Sequence, residues 1–146
     1  MERKIDTTAP IIPWEGLGGI KLYSHIRQWM DYVEDEENLA SVEFGTLLRY
    51  ETKDKICLHF DLCNGKLYKI SALKKYRGRL FRKIHTGQRI GTVLRLEPSF
   101  IYDEEKKLYK SDKGVLLEAD PLTKKVVRIS IYVKEMDSDE FKDGTW

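Results

Sequence analysis

With 146 residues, 41% hydrophobic and 34% charged, the chain is long enough to bury one core without disulfide or metal support, and its composition is that of a soluble globular protein. A net charge of +2 excludes a global electrostatic drive toward nucleic acid or membranes. No stretch approaches the roughly 20 apolar residues of a membrane helix. The opening MERKIDTTAPIIPW lacks the apolar run and cleavage site of a secretory signal. A cytoplasmic location is therefore expected, with Cys57 and Cys63 as free thiols, since one extended strand would hold them too far apart to bridge.

In chain order, residues 7–19 carry Pro10, Pro13, Gly16, Gly18 and Gly19 and read as an irregular lead-in. Residues 20–33 place Leu22, Ile26, Trp29, Met30 and Val33 on one face of a helix, with Ser24 as its N-cap and Leu22 just outside. Asp31, Glu34, Asp35, Glu36 and Glu37 crowd its end, where the helix dipole disfavours negative charge. Strands are predicted over 43–50, 55–62 and 66–73. In the second of these, Ile56, Leu58, Phe60 and Leu62 alternate with Cys57, His59 and Asp61. A three-residue loop Cys63-Asn64-Gly65, with Gly65 left-handed, sets Phe60 opposite Tyr68, Leu58 opposite Ile70 and Ile56 opposite Ala72.

Next comes the one strongly basic stretch, with Lys74, Lys75, Arg77, Arg79, Arg82 and Lys83 interleaved by Tyr76 and Phe81. It reads as a solvated connector, or as a nucleic-acid contact whose rings stack on bases while its cations meet phosphates. A second helix is predicted over 88–96, with Ile90, Val93, Leu94 and Leu96 inward and Gly91 weakening it. Pro98 stops this helix, and 99–103 begin another meander. From Met136 onward the chain is acidic, with Phe141 and Trp146, and reads as a loosely held tail.

Residues 50–73 align without a gap on 109–132: Leu58, Asp61, Lys66, Ile70 and Ser71 recur as Leu117, Asp120, Lys125, Ile129 and Ser130. The same register sets Ala119 opposite Val127, Leu117 opposite Ile129 and Val115 opposite Ile131. The expected fold is α+β: two tandem helix-plus-three-strand meander units forming one antiparallel sheet with helices on one face. The expected single domain comprises a first unit at about 16–73, the connector 74–83, a second unit at about 84–134 and an acidic tail 135–146.

His25, His59 and His85 form no recognised metal-ligand spacing with one another or with the cysteines. His59, expected on an outward face beside Lys69 with Asp61 two residues along, suits a surface hydrogen bond or a general base. There is no phosphate-binding glycine loop, no Gly-x-Ser-x-Gly and no local signature of a cysteine nucleophile. No catalytic set, metal or cofactor is expected.

The segment Glu15-Gly16-Leu17-Gly18-Gly19-Ile20-Lys21-Leu22, leading into a short helix and a meander ending in Lys66-Leu67-Tyr68-Lys69-Ile70, resembles small bacterial immunity proteins paired with contact-dependent growth inhibition and related polymorphic toxins. Lys83-Ile84-His85-Thr86-Gly87, followed by 90–96, looks like the same motif; the first copy has Tyr23 where the second keeps Gly87. The tandem plan is also similar to the beta-lactamase inhibitor protein and to small outer-membrane assembly lipoproteins, although no cysteine near the start could carry a lipid. The resemblance implies a cytoplasmic, non-catalytic inhibitor that binds the C-terminal domain of one cognate toxin and covers its active site or blocks its access to substrate. Toxins that attack RNA or DNA are commonly basic. Asp31, Glu34, Asp35, Glu36 and Glu37 are therefore the first candidate interface, with Asp137, Asp139 and Glu140 second. The alternative is a nucleic-acid-binding module built on Lys74, Lys75, Arg77, Arg79, Arg82 and Lys83. A monomer is expected.

Overall fold

The structure is a computed structural model that describes residues 5–35 and 37–146. It shows a mixed α+β protein with one large antiparallel sheet and few, short helices. Two short strands, β1 (Gly16–Leu17) and β2 (Ile20–Lys21), precede a 3-10 turn Ile26–Trp29 and the helix α1 (Met30–Glu34). Four strands follow: β3 (Leu39–Phe44), β4 (Leu47–Thr52), β5 (Ile56–Asp61) and β6 (Lys66–Ala72). After the helix α2 (Ile90–Leu96) come β7 (Ile101–Asp103), β8 (Leu108–Ser111), β9 (Val115–Ala119) and β10 (Val126–Tyr132). A 3-10 turn Lys134–Asp137 and the short helix α3 (Asp139–Lys142) complete the chain.

The eight strands run in the order β3-β4-β5-β6-β10-β9-β8-β7, so the last strand of each group of four meets the other at the centre. Alternation decides which face each side chain takes. Ile56, Leu58 and Phe60 of β5, Ile70 and Ala72 of β6, Val115 and Leu117 of β9, and Ile129 and Ile131 of β10 form the apolar core, each fully buried. Burying an aliphatic side chain of this size contributes about 1.5–3 kcal/mol, so this face carries most of the driving force for folding. The registers Leu58 with Ile70, Ile56 with Ala72, Leu117 with Ile129 and Val115 with Ile131 occur as expected.

The hairpin ends differ from expectation. Phe60 pairs with Leu67 and Asp61 with Lys66 across a four-residue loop, and a bulge at Tyr68 restores the expected register at His59–Lys69. Ala119 likewise pairs with Val126, with a bulge at Val127. A bulge puts two residues opposite one, which re-aims a side chain without moving the rest of the strand. The strand predicted over 43–50 is interrupted at Gly45 and Thr46, where a tight turn separates β3 from β4, so this group has four strands. Gly45, at φ +55°, takes the left-handed conformation that tight hairpins need.

Helix formation starts later than the 20–33 periodicity predicts. Tyr23 sits at φ 70°, outside helical space, and its N–H donates to Leu67 O (2.9 Å). The Ser24 hydroxyl donates back to Lys21 O instead of capping. His25 is the cap: its Nδ1 accepts from Arg27 N (3.1 Å) while Gln28 Oε1 accepts from His25 N (3.1 Å). Ile20 and Lys21 pair with Leu17 and Gly16 in the β1–β2 ribbon, so part of the lead-in is regular, with Leu17, Ile20 and Leu22 buried. The second helix starts two residues after the predicted 88, with Val93 fully buried and Leu96 more than a third exposed.

The two groups of four strands share hydrogen bonds at corresponding places. Tyr23 N donates to Leu67 O and Leu67 N to Ser24 O; Gly87 N donates to Val126 O and Val126 N to Gln88 O. Ile26 N donates to Gly65 O, and Ile90 N to Lys124 O. Gly65 N donates to Asp61 O, and Lys124 N to Asp120 O, with Gly65 at φ 72° and Lys124 at φ 59°. At the centre of the sheet Ser71 faces Ser130, and their hydroxyl oxygens lie 2.8 Å apart. These are the positions, 71 and 130, that the gapless alignment of 50–73 on 109–132 matches.

Candidate functional site

The first candidate surface is built on α1. Trp29 is buried, and Tyr32, one turn on, reaches β4: its hydroxyl donates to Tyr50 O (3.2 Å) and lies 2.8 Å from Thr52 Oγ1. Burial pushes the Tyr32 hydroxyl up to about 12, so it stays a neutral donor. Asn38 Nδ2 donates to Tyr32 O (2.7 Å), fixing the chain that leaves the helix. With positions 29 and 32 turned inward, helical spacing turns 31, 34 and 35 outward. Asp31, Glu34, Asp35 and Glu37 are all exposed, and among the described residues none of them enters an ion pair. Glu36 lies outside the described residues.

The second acidic group is placed differently. Asp137 is paired with Lys110 (2.8 Å). Asp139 and Glu140 lie in the first turn of α3, whose cap is Ser138, accepting from Phe141 N (3.3 Å). Carboxylates there favour the helix itself.

In the connector, the backbone is tied down by Thr7 O, which accepts from Arg77 N (2.7 Å) and Gly78 N (3.0 Å), and by Arg79 O, which accepts from Ile11 N (2.9 Å). Tyr76, Gly78 and Leu80 turn inward, whereas Lys74, Lys75, Arg77, Arg79, Arg82 and Lys83 are exposed. The stacking expected of Tyr76 does not survive this geometry. Its ring is 1% exposed, its hydroxyl donates to Ala9 O (2.6 Å), and burial pushes that hydroxyl up to about 12. Phe81 is half-buried beneath Lys113, whose ammonium lies 5.4 Å from the ring centre.

The face of the sheet opposite the apolar core is polar, and much of it is buried. His59, expected outward, is fully buried, with Nε2 3.2 Å from Ser71 Oγ. It faces Lys69 as expected, and its ring packs edge-on against Tyr68 (5.9 Å). What covers this region is the segment expected to be a loose tail. Phe141 packs against Tyr68 (5.1 Å), Trp146 Nε1 donates to Asp61 Oδ2 (2.7 Å), and Lys66 Nζ donates to the main-chain oxygen of Trp146 (2.7 Å). Apolar area and a charge-assisted hydrogen bond outweigh the segment's polarity, so it forms a docked strap. The two aromatic residues in an otherwise charged run were the sequence signal for it. Asp61, whose Oδ1 accepts from Cys63 N (2.9 Å), is thereby engaged on both oxygens. Towards β9 this face carries a mixed-charge depression, where Arg128 lies 3.7 Å from Glu51 and 3.4 Å from Glu118.

Among the described residues, no group of three or more histidine, cysteine or acidic side chains is placed to hold a metal ion, and no helix is long and apolar enough to cross a membrane. Compared with protein-family models, with curated proteins and with solved structures, the chain matches none.

Proposed function

We propose that the protein is a cytoplasmic, non-catalytic immunity protein that binds and neutralises a cognate bacterial toxin domain, a basic nuclease, through the acidic surface of α1 and the turn after it. The observation that carries this reading is the placement of Asp31, Glu34, Asp35 and Glu37: all are exposed and without ion pairs among the described residues, with Asp31 in the first turn of α1 and Glu34, Asp35 and Glu37 at and beyond its C-terminus, where negative charge is unfavourable. Apart from the main-chain N–H of Glu37, which donates to Asp35 Oδ1 (3.0 Å), the carboxylates at the end of α1 have little within the chain to offset their mutual repulsion, and they gain from a cationic partner. Asp137, Asp139 and Glu140 are better accounted for by their roles within the chain.

The scaffold is read as a duplicated unit, a short helix followed by four strands, with the helices on the apolar side of the sheet. The matched hydrogen bonds around Tyr23 and Gly87 and around Asp61 and Asp120 support this reading. They also bear on the resemblance to immunity proteins, because Tyr23 occupies the left-handed position that Gly87 holds in the second unit.

The test is charge reversal of Asp31, Glu34 and Asp35 to lysine, with association kinetics measured against the toxin domain encoded next to this chain. The association rate should fall by about tenfold or more at low salt. Unchanged kinetics would remove this surface from the interface.

A second reading, a nucleic-acid-binding module, draws on the exposure of Lys74, Lys75, Arg77, Arg79, Arg82 and Lys83 along one extended segment. It relies on charge alone, since Tyr76 is unavailable for stacking. Salt-dependent binding of single-stranded RNA that falls when Arg77, Arg79 and Arg82 become glutamine would favour it.

A further inference from the structure

The strap covers one hairpin end of the sheet, and the corresponding end of the other group of strands is bare. In the covered half, Asp61 Oδ1 closes its own hairpin by accepting from Cys63 N, and Oδ2 is left to hold the Trp146 indole (2.7 Å). In the other half, Asp120 Oδ1 closes its hairpin by accepting from Leu122 N (2.7 Å) and Thr123 N (3.2 Å). Asp120 Oδ2 makes no hydrogen bond among the described residues. Lys66, which holds the main-chain oxygen of Trp146 and sits 5.0 Å from its ring centre, corresponds to Lys125, which is exposed. Cys63, against which Gly144 packs, corresponds to Leu122, which is 91% exposed. Tyr68, the seat of Phe141, corresponds to half-buried Val127.

We propose that this bare hairpin end, centred on Asp120, Leu122 and Lys125, is a docking site for an acidic, tryptophan-bearing segment of a partner protein. The occupant's chemistry is argued from the strap. An indole N–H meets the free oxygen of the aspartate, a main-chain carbonyl meets the lysine, and an aromatic ring lies beside Leu122 and Val127. Charge complementarity favours an acidic segment at the hairpin tip, where Lys124 and Lys125 are exposed and Lys74 is near enough to act on Asp120, although the adjoining depression beside Val127 also carries Asp54 and Glu118. The strap itself is acidic, with Glu135, Asp137, Asp139, Glu140 and Asp143 against Lys134 and Lys142. The main-chain N–H groups of Leu122 and Thr123, with a smaller contribution from Lys74, hold the Asp120 carboxyl below the usual carboxylate range, so it is a charged acceptor at neutral pH. The site stands on the matched hydrogen bonds, and it is independent of what the acidic surface of α1 binds.

The test uses the full chain and, as probe, a labelled synthetic peptide with the sequence of residues 134–146, KEMDSDEFKDGTW. Anisotropy should show saturable one-to-one binding that weakens at least tenfold with Leu122→Glu plus Lys125→Glu, and also when the peptide's tryptophan is replaced by alanine. Leu122 and Lys125 are exposed, so these variants should keep the wild-type circular dichroism. Peptide-induced resonance shifts should fall on Val127 and not on Tyr68. Absence of binding, binding indifferent to the two substitutions, or shifts confined to Tyr68 would overturn the proposal. Self-association of the chain that Leu122→Glu abolishes would also overturn it, by making a second copy the occupant.

Discussion

Replacing Trp146 by phenylalanine separates a docked strap from a loose tail. The substitution keeps a ring near Phe141, whose centre lies 5.6 Å from that of Trp146, and near Lys66, and it removes the indole N–H together with part of the ring's apolar area. That donor is 2.7 Å from Asp61 Oδ2, and Asp61 is 1% exposed, so water cannot readily replace it. A hydrogen bond to a charged group contributes about 1.5–3 kcal/mol, and leaving a buried carboxylate oxygen unmatched favours the upper part of that range. A loss of about 2 kcal/mol lowers the folded-to-unfolded ratio about 30-fold. In a chain of this size it lowers Tm by about 4–8 °C. Urea denaturation should show a lower midpoint with unchanged slope. In an Asp61→Asn background the same substitution should cost at least 1 kcal/mol less, because the two groups are directly coupled. A change below about 0.5 kcal/mol in the wild-type background would refute the docking argument.

The seam of the sheet gives a second expectation. Ser71→Ala removes a hydroxyl that serves both Ser130 and His59 and should cost about 1–3 kcal/mol; Ser71→Ala with Ser130→Ala should cost less than the sum of the single changes, as a double-mutant denaturation cycle would show. Lys124, at φ 59°, occupies the position that Gly65 fills at φ 72°. Lys124→Gly should stabilise by up to about 1 kcal/mol, whereas Gly65→Ala should destabilise by more than about 2 kcal/mol, because a Cβ there meets the His25 ring. Of the eight tyrosines, Tyr32, Tyr76 and Tyr132 are each pushed up to about 12 by burial. Their folded values lie above the ordinary 10, so the stability they contribute is complete below pH 10 and is lost as the pH rises towards 12. Spectrophotometric titration should show a late-ionising fraction that disappears in urea.

The strands and their register were legible because strict alternation leaves one solution: shifting β5 by one residue would turn Ile56, Leu58 and Phe60 out of the core. The periodicity of 20–33 misleads, since Ile20, Leu22 and Trp29 are all buried but reach the core from a ribbon and a 3-10 turn. Tyr23, in a conformation usually left to glycine, ends the regularity, and no sequence rule marks a tyrosine as left-handed. The break between β3 and β4 hinges on Gly45, a single glycine that the strand pattern over 43–50 runs straight through. His59 faces Lys69 as alternation predicts, yet it is fully buried, because alternation says which way a side chain points and not what lies over it. The strap comes from about eighty residues further along the chain, a separation across which local patterns carry no information. The acidic residues around α1 needed only exposure to stand out, and all those described are exposed.

The measurement that bears most directly on the proposed function is isothermal titration of this protein into the C-terminal domain encoded by the gene immediately upstream, the proposed toxin, alongside growth of cells that produce that domain. Nanomolar, one-to-one binding with growth restored by this chain, and weakened by lysines at Asp31, Glu34 and Asp35, is the predicted result. Absence of both binding and rescue would contradict the inhibitor account.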